Sequence, residues 1–181
     1  MHDSLVAGKP EINRRIGRIM LFLYAGLEFD LCQRNHKLHH QFSESENDPD
    51  FSPDSDASIA NWYVNFMGNY IHPSQLMQLS LSWLVIYWLA SVVNAAPVDN
   101  VIIFCMIPLV LSSLQLFIFG TLLPHRSSNN ASLNATPRSL SLHPIVSFAA
   151  CYHFGYHREH HESPSTPWFE LPKLNLASKG V

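Results

Sequence analysis

This sequence predicts an all-α integral membrane protein with a transmembrane hairpin and a histidine-rich site on its cytoplasmic side. Three observations predict it: two long uncharged runs, the placement of every lysine and arginine outside them, and two histidine clusters on the flanking segments. Charged residues make up 14% of the chain, against about 25% in an average soluble protein. The 181 residues suit a single domain over 1–181.

The two uncharged runs predict a pair of membrane-crossing helices. Residues 74–93 are twenty residues without a charge, and residues 101–123 are twenty-three. A helix needs about 20 apolar residues to cross a hydrocarbon core of ~30 Å. Pro108 lies inside the second run and is expected to kink it, which membrane helices tolerate. A fully buried helical hairpin in a soluble protein is the alternative interpretation.

The basic residues predict the orientation of the hairpin. Of the eleven lysines and arginines, six precede residue 74 and five follow residue 123. Segments that flank a membrane span on the cytoplasmic side are rich in lysine and arginine, so both flanks are expected in the cytoplasm. The short linker 94–100 connects the two spans, so they should form a hairpin whose ends return to one side. The formal net charge of -3 provides no electrostatic attraction for nucleic acid, and no nucleic-acid partner is expected.

The segments outside the hairpin carry two shorter apolar stretches and an acidic loop. Ile19–Leu27 and Pro144–Cys151 are too short to cross a bilayer, and re-entrant or interfacial helices are expected there. Residues 41–58 contain six acids and no base, which predicts a solvated loop. Within this loop Asp48 and Asp50 are candidates for holding imidazole rings in place.

Six of the eleven histidines lie in two copies of the pattern H-x-x-H-H. In a helix, offsets of three and four residues place side chains on one face. Each copy therefore presents several imidazoles to one point, and neutral imidazole is the commonest metal ligand. The second copy has a further histidine, His153, one turn earlier, which a continuous helix would place on the same face. The hairpin brings both copies to one side of the membrane, so a shared metal site is predicted.

The number and type of ligands narrow the choice of metal. Nine candidate ligands exceed the needs of one tetrahedral ion and suit two ions with open positions. Imidazole ligands disfavour calcium and magnesium, and iron is the redox-capable choice, although zinc, copper and nickel also accept imidazole. His125 is included because it follows the second span directly. The candidate ligands are His2, His36, His39, His40, His125, His153, His157, His160 and His161.

Several motifs resemble those of one enzyme family. The matching segments are His36–His40, Asn47–Phe51, Ser112–Phe117, Phe119–Arg126 and Ala150–His161, the last followed by Pro164 and Pro167-Trp168. With these segments the chain resembles the bacterial-type, cyanobacterial-like β-carotene ketolases, within the membrane superfamily of fatty-acid desaturases and hydroxylases. The last histidine segment with its Pro-Trp tail is specific to the ketolases, whereas H-x-x-H-H is shared by the whole superfamily.

The start of the chain departs from the family pattern. The family opens its first motif with H-D-x-x-H after a transmembrane segment, whereas this chain begins Met1-His2-Asp3 and has Val6 where the second histidine would follow. His2 instead matches the second histidine of that motif, judged by its distance to Asn13. The expectation is an N-terminally truncated chain that lacks the first histidine and the preceding span.

The resemblance implies a reaction and its partners. It implies oxidation by O2 of the C4 and C4′ methylenes of the β-ionone rings of β-carotene, giving echinenone and then canthaxanthin. Two hydroxylations at one carbon would give a geminal diol, which loses water to leave the ketone. Two iron ions would be the cofactors, the substrate would lie in the bilayer, and an external donor such as ferredoxin would supply electrons. Ring-binding candidates are Phe117, Phe119 and Phe154, with plain core packing as the competing interpretation.

Two other functions are compatible with the sequence. A carotenoid hydroxylase, or a fatty-acid desaturase or hydroxylase, would use a similar metal site on a different substrate. A membrane protein that binds metal without catalysis, or an inactive fragment, is the third possibility, and the departure at the first motif favours it.

Overall fold

A computed structural model describes residues 2, 5–6, 8–52, 58–93, 96–126, 137–140 and 142–178. Within these residues the chain is helical and contains no strand. The helices before the long apolar segments are α1 (Pro10–Ala25), α2 (Phe29–Phe42) and α3 (Ile59–Tyr70). The apolar helices are α4 (Pro73–Val92) and a long helix that runs from Pro97 to His125. The last helices are α8 (Pro144–Cys151), α9 (His157–Glu162), a 3-10 turn (Trp168–Glu170) and α10 (Leu171–Ser178).

The ends of the first helices follow from local chemistry. Pro10 begins α1, where a missing N–H costs nothing, and Gly26 ends it with φ 64°, a left-handed conformation that glycine adopts without strain. The Ser58 hydroxyl caps α3 by accepting the N–H of Asn61 at 3.2 Å. Helix α4 starts in the same way, since the His72 side chain accepts the N–H of Ser74 and Pro73 follows the cap.

The two predicted spans are helices that pass the length and composition test for membrane crossing. The first matches the predicted run to within one residue, and the second begins at Pro97 and ends at His125, beyond both predicted bounds. Linker residues 94 and 95 lie outside the described part of the chain. In each helix only 6% of the most apolar 18-residue stretch is buried. The alternative of a fully buried soluble hairpin is therefore wrong for this structure.

The long helix contains two π-helical segments, and each precedes a proline. It consists of α5 (Pro97–Val101), π1 (Ile102–Met106), α6 (Ile107–Leu116), π2 (Phe117–Leu122) and α7 (Leu123–His125). Pro108 and Pro124 are each the second residue after a π segment. A proline ring collides with the carbonyl four residues earlier, and the wider π turn relieves that collision. The helix thus continues through both prolines and ends at His125.

Two serines of α6 form hydrogen bonds with α1 and α3, and aromatic residues pack around Phe117 at the start of π2. The Tyr24 hydroxyl of α1 bonds to Ser112, and the Tyr63 hydroxyl of α3 bonds to Ser113 at 2.7 Å. One turn further, Phe117 is 1% exposed and lies in the core. Its ring centroid is 5.2 to 6.0 Å from those of Tyr63, Phe66 and Trp62. Phe117 is thus a core residue enclosed by three aromatic neighbours, and its contact with a substrate ring stays a prediction.

The shorter apolar stretches are both helical. Residues 19–25 of the first stretch, Ile19–Leu27, form the C-terminal part of α1, and Pro144–Cys151 coincides with α8. Helix α1 is joined to α2 by Arg14 and Arg18, which contact the two carboxylate oxygens of Asp30 at 2.6 and 2.7 Å. These pairs are half-exposed, so each contributes only about 0–1 kcal/mol. The interfacial position of α1 and α8 stays a prediction.

Candidate metal centre

Eight of the nine predicted ligands converge in two groups of four. The half-buried group consists of His2, His36, His40 and His160. The buried group consists of His39, His125, His157 and His161. Within each group the ligand atoms all lie within 4.8 Å of one another. The two groups adjoin, since the rings of His40 and His161 stack with their centroids 4.2 Å apart.

Each H-x-x-H-H motif is divided between the two groups. On α2, His36 and His40 turn to the half-buried group and His39 to the buried group. On α9 the assignment is reversed: the first and last histidines, His157 and His161, belong to the buried group, and His160 belongs to the half-buried group. At 100° per residue the first and last histidines of a motif are about 40° apart, whereas the middle one lies about 60° to the other side of the first. One helical turn can therefore serve two adjacent sites.

The nitrogen spacing in the buried group fits a cation. His157 Nε2 lies 3.2 Å from His39 Nε2, 2.9 Å from His125 Nε2 and 3.2 Å from His161 Nε2. One ring nitrogen has a single proton or a single lone pair, so it cannot form hydrogen bonds to three other nitrogens. Nitrogens bound at 2.0–2.1 Å around a tetrahedral ion would be roughly 3.3 Å apart. The group thus has the dimensions of a metal-ligand set.

The half-buried group has the same spacing. His2 Nε2 lies 2.9 Å from His36 Nε2 and 3.2 Å from His40 Nε2. His160 Nε2 closes the ring at 3.1 Å from His40 Nε2 and 3.4 Å from His36 Nε2. The residues present therefore fit two ions, one in each group, with all ligands offered through Nε2.

Two carboxylates of the acidic loop support the buried group. Asp48 Oδ1 lies 2.8 Å from His39 Nδ1, and Glu44 Oε1 lies 3.5 Å from His125 Nδ1. Asp48 is itself held in place, because it accepts the backbone N–H groups of Glu44 and Asp50 at 2.9 Å each. The predicted contact between Asp48 and an imidazole is present in the structure.

Asp50 lies farther from the His39 imidazole than Asp48 does. Its Oδ2 is 3.9 Å from His39 Nδ1, and its Oδ1 accepts the Tyr70 hydroxyl at 2.6 Å. Burial raises the pKa of this carboxyl, although the nearby His39 opposes the shift. Asp50 thus anchors the loop to α3, and Asp48 makes the direct contact.

The environment keeps most of the ring nitrogens unprotonated at neutral pH. Burial, together with repulsion from neighbouring imidazoles, lowers the pKa of His40 to about 4, of His160 to about 3 and of His161 to about 2. The same causes lower the pKa of His36 and His157 further. Unprotonated imidazole is the form that binds metal.

His39 differs from the other histidines of the site. Burial opposes protonation of its ring, but the hydrogen bond that His39 donates to Asp48 and the charges of Asp50, Asp48 and Glu44 outweigh burial and raise the pKa. A carboxylate on Nδ1 also fixes the ring orientation and makes the other nitrogen a better ligand.

The lowered pKa values predict an acid-sensitive metal-free protein. The unfolded chain takes up protons on these histidines near pH 6.5, whereas the folded chain resists them until about pH 4 or below. The free energy of unfolding should therefore fall as the pH drops from 6.5 to 5. The raised pKa of His39 works in the opposite direction, but five lowered groups outweigh it. Thermal unfolding of metal-free protein in detergent at several pH values checks this, and a rise in stability on acidification would contradict it.

His153 lies outside both groups, contrary to the prediction that it continues the helical face of the second motif. Tyr152 and His153 adopt left-handed conformations with φ 45° and 64°, and α9 begins only at His157. The His153 ring packs beside Trp168, and its Nδ1 bonds to the Ser147 hydroxyl at 3.2 Å. The helical periodicity fails here because the chain reverses between α8 and α9.

Phe154 and Gly120 lie beside the histidines and form a close contact. The Phe154 ring centroid is 5.5 Å from that of His157 and 6.0 Å from that of His160, so the ring borders both groups. A Cβ atom on Gly120 would lie 2.6 Å from two carbons of this ring. Phe119, the remaining ring candidate, is half-buried on the same π segment.

Two residues of the site were missed by sequence reasoning. Glu44 lies just after α2 with φ 60°, and its carboxylate faces His125, a contact that sequence spacing does not indicate. Gly120 was part of a matched segment, but its contact with Phe154 depends on packing between distant parts of the chain. Glu159, between the histidines of α9, points the other way and accepts a hydrogen bond from Asn175 Nδ2 at 2.7 Å.

Comparison with known proteins supports a family assignment. A family model described as fatty acid desaturase matches residues 1–180. A β-carotene ketolase of Paracoccus sp. (strain N81106 / MBIC 01143) is 35% identical over 176 residues, which cover 95% of this chain and 69% of that protein. A β-carotene ketolase of Paracoccus sp. (strain PC1) is 34% identical over 175 residues, covering 96% of this chain and 69% of that protein.

A more distant relative agrees with these two. A zeaxanthin 4-ketolase of Chlamydomonas reinhardtii is 32% identical over 186 residues, which cover 100% of this chain and 40% of that protein. No solved structure matches the chain. The family model covers nearly the whole sequence, and the similarity to the ketolases extends through both histidine motifs. The chain therefore belongs to the fatty acid desaturase family, in the part of it that is related to the β-carotene ketolases.

Proposed function

We propose that this chain is a β-carotene ketolase that converts the C4 and C4′ methylenes of the β-ionone rings to ketones, giving echinenone and canthaxanthin. The observation that carries the proposal is the pair of four-histidine groups in a chain that is 35% identical to a β-carotene ketolase over 95% of its length. The groups provide a place for redox chemistry, and the relatives indicate the substrate class.

The proposed cofactors are two iron ions, one held by each four-histidine group. The buried group would hold one ion through His39, His125, His157 and His161, and the half-buried group would hold the other through His2, His36, His40 and His160. When bound, the iron would supply activation of O2 for attack on an unactivated C–H bond, which no amino-acid side chain performs. His153 is left out of this ligand set because it packs against Trp168.

In this proposal the residues of the chain orient the ligand nitrogens and limit the access of water. Asp48 holds the His39 ring through Nδ1, so that Nε2 faces the other three nitrogens of its group. Burial keeps His157 unprotonated and limits the access of water to His39, His125 and His157. Phe154 borders both groups and, with Phe119, is proposed to contact the substrate ring. A fully apolar hydrocarbon needs such contacts because it offers no polar group to orient it.

A position in the membrane is part of the proposal. The exposed surfaces of α4 and of the long helix are apolar, and the long helix ends at His125 inside the buried group. A carotenoid dissolved in the bilayer could then reach the site along these helices. The basic residues all lie outside the two spans, which supports a site on the cytoplasmic side.

Electrons for O2 reduction must come from another protein in this proposal. Each hydroxylation at a C–H bond by O2 consumes two electrons from a donor and releases one water. The sequence shows no flavin, haem or iron–sulfur motif, so an external donor of the ferredoxin class is proposed.

The test is pigment analysis of β-carotene-producing bacteria that express this chain. Echinenone or canthaxanthin, absent from cells that carry an empty vector, is the expected result. Hydroxylated carotenoids without ketones, or modified acyl chains, would assign a sibling oxygenase function instead. No new product from protein that is present in the membrane with two bound irons would overturn the proposal.

A further inference from the structure

The two histidine groups differ in their exposure to solvent. His39, His125 and His157 of the buried group are only 1%, 2% and 2% exposed. All four histidines of the half-buried group are intermediate in exposure. A ligand set that is closed to water loses its ion less readily, because solvent and competing ligands must reach the ion to replace it.

The buried group also has negative charge beside it. His39 and His125 each have a carboxylate within ion-pair distance of the outer ring nitrogen. Asp48 is the strongest of these partners, at 2.8 Å from His39 Nδ1 with its side chain fully buried. Glu44, at 3.5 Å from His125 Nδ1, is 10% exposed. Carboxylates on the outer nitrogens raise ligand basicity and attract a cation.

The loop that carries these carboxylates is hydrogen-bonded to α3. The Trp62 indole donates to the Asp50 carbonyl at 2.9 Å, and Asn69 Nδ2 donates to the Pro49 carbonyl at 2.6 Å. Helix α3 therefore holds the loop beside α2.

We infer that the two groups bind metal unequally: the buried group holds its ion tightly with the help of Asp48 and Glu44, and the half-buried group holds its ion weakly and exchanges it. The inference rests on the proposed metal centre and adds an order of loading to it. The stacked rings of His40 and His161 place the two ions close together, so the charge of the first ion further weakens binding of the second.

The experiment is a titration of metal-free protein in detergent with Co²⁺, followed by calorimetry and by the visible absorption of the bound ion. Two phases of one ion each are expected, with affinities that differ by at least about 10-fold. His36→Ala should remove the weak phase and His125→Ala the tight phase. A chelator added to loaded protein should remove one ion well before the other.

Asp48→Asn tests the role of the carboxylate. The tight phase should weaken by about 10–100-fold, whereas the weak phase should stay unchanged. Glu46→Gln removes the same charge from an exposed position in the same loop and should leave both phases unchanged. Thermal unfolding of each metal-free variant shows whether the fold is retained.

The outcomes separate this inference from the proposed function. Two equal affinities, or an Asp48→Asn effect confined to the weak phase, would overturn the inference and leave the ketolase proposal standing. Failure to bind Co²⁺ or Fe²⁺ by folded protein would overturn the proposed metal centre itself. Pigment analysis in cells then reports on the enzyme activity independently.

Discussion

Replacement of His157 by alanine is expected to abolish ketocarotenoid formation. His157 Nε2 contacts three other ligand nitrogens of the buried group, and its side chain is 2% exposed. Residues that only hold a metal ligand in place change metal affinity by about 10–100-fold. Loss of a central ligand should therefore reduce product by at least about 100-fold and lower the iron content of purified protein by one ion. Pigment analysis and metal analysis of the same preparation check both.

Histidines outside the groups provide matched controls. His72→Asn keeps a side chain that can cap α4, and should retain iron and activity. His153→Asn keeps a residue that tolerates the left-handed conformation and should retain both irons. If His157→Ala kept full iron and full activity, the assignment of the buried group would be wrong. Loss of one iron from His153→Asn with no change in folding would restore His153 as a ligand.

Replacement of Gly120 by alanine should have the next largest effect. The added Cβ would lie 2.6 Å from two ring carbons of Phe154, closer than side chains pack. The ring must then shift against His157 and His160, whose centroids are 5.5 and 6.0 Å away. Overpacking of a buried site costs about 1–3 kcal/mol. We expect a loss of activity of about 10-fold or more, measured as ketocarotenoid per amount of membrane protein.

A second substitution shows whether the loss of activity in Gly120→Ala results from the contact with Phe154. Combining Gly120→Ala with Phe154→Ala removes the two ring carbons that the added Cβ would meet. The loss of activity in the double variant, in free-energy terms, should therefore be smaller than the sum of the two single losses. Such coupling between contacting residues is the expected result of a double-mutant cycle. Additive losses in the double variant would show that Gly120 acts by another route.

Composition and local periodicity were sufficient to predict the helical segments and most of the histidines that converge in the two groups. The uncharged runs 74–93 and 101–123 became α4 and the long helix, because an apolar run of that length has few other stable conformations. The predicted fold is confirmed as all-helical over the described residues. Asp48 was a candidate for contact with an imidazole, and the contact is present. The prediction that its loop is solvated is wrong for Asp48, which is buried.

The packing of aromatic residues could not be predicted from the sequence. Phe117 and Phe154 both appeared as candidates for the substrate pocket, yet one is enclosed by Trp62, Tyr63 and Phe66 and the other borders the histidines. The two rings lie on different elements, and only the positions of α3 and α9 decide which of them faces the site.

The sequence by itself determined that imidazoles at helical spacing flank a pair of apolar helices, because spacing along one helix is a local property. The tertiary structure alone decided how those imidazoles divide into two groups. The contacts between His39 and His157 and between His36 and His160 join residues 118 and 124 positions apart. His153 shows the limit most clearly, since two left-handed residues redirect the chain and remove it from a face that periodicity assigned to it. The contacts between α2 and α9 set the division of the histidines into two groups, and no local sequence pattern indicates those contacts.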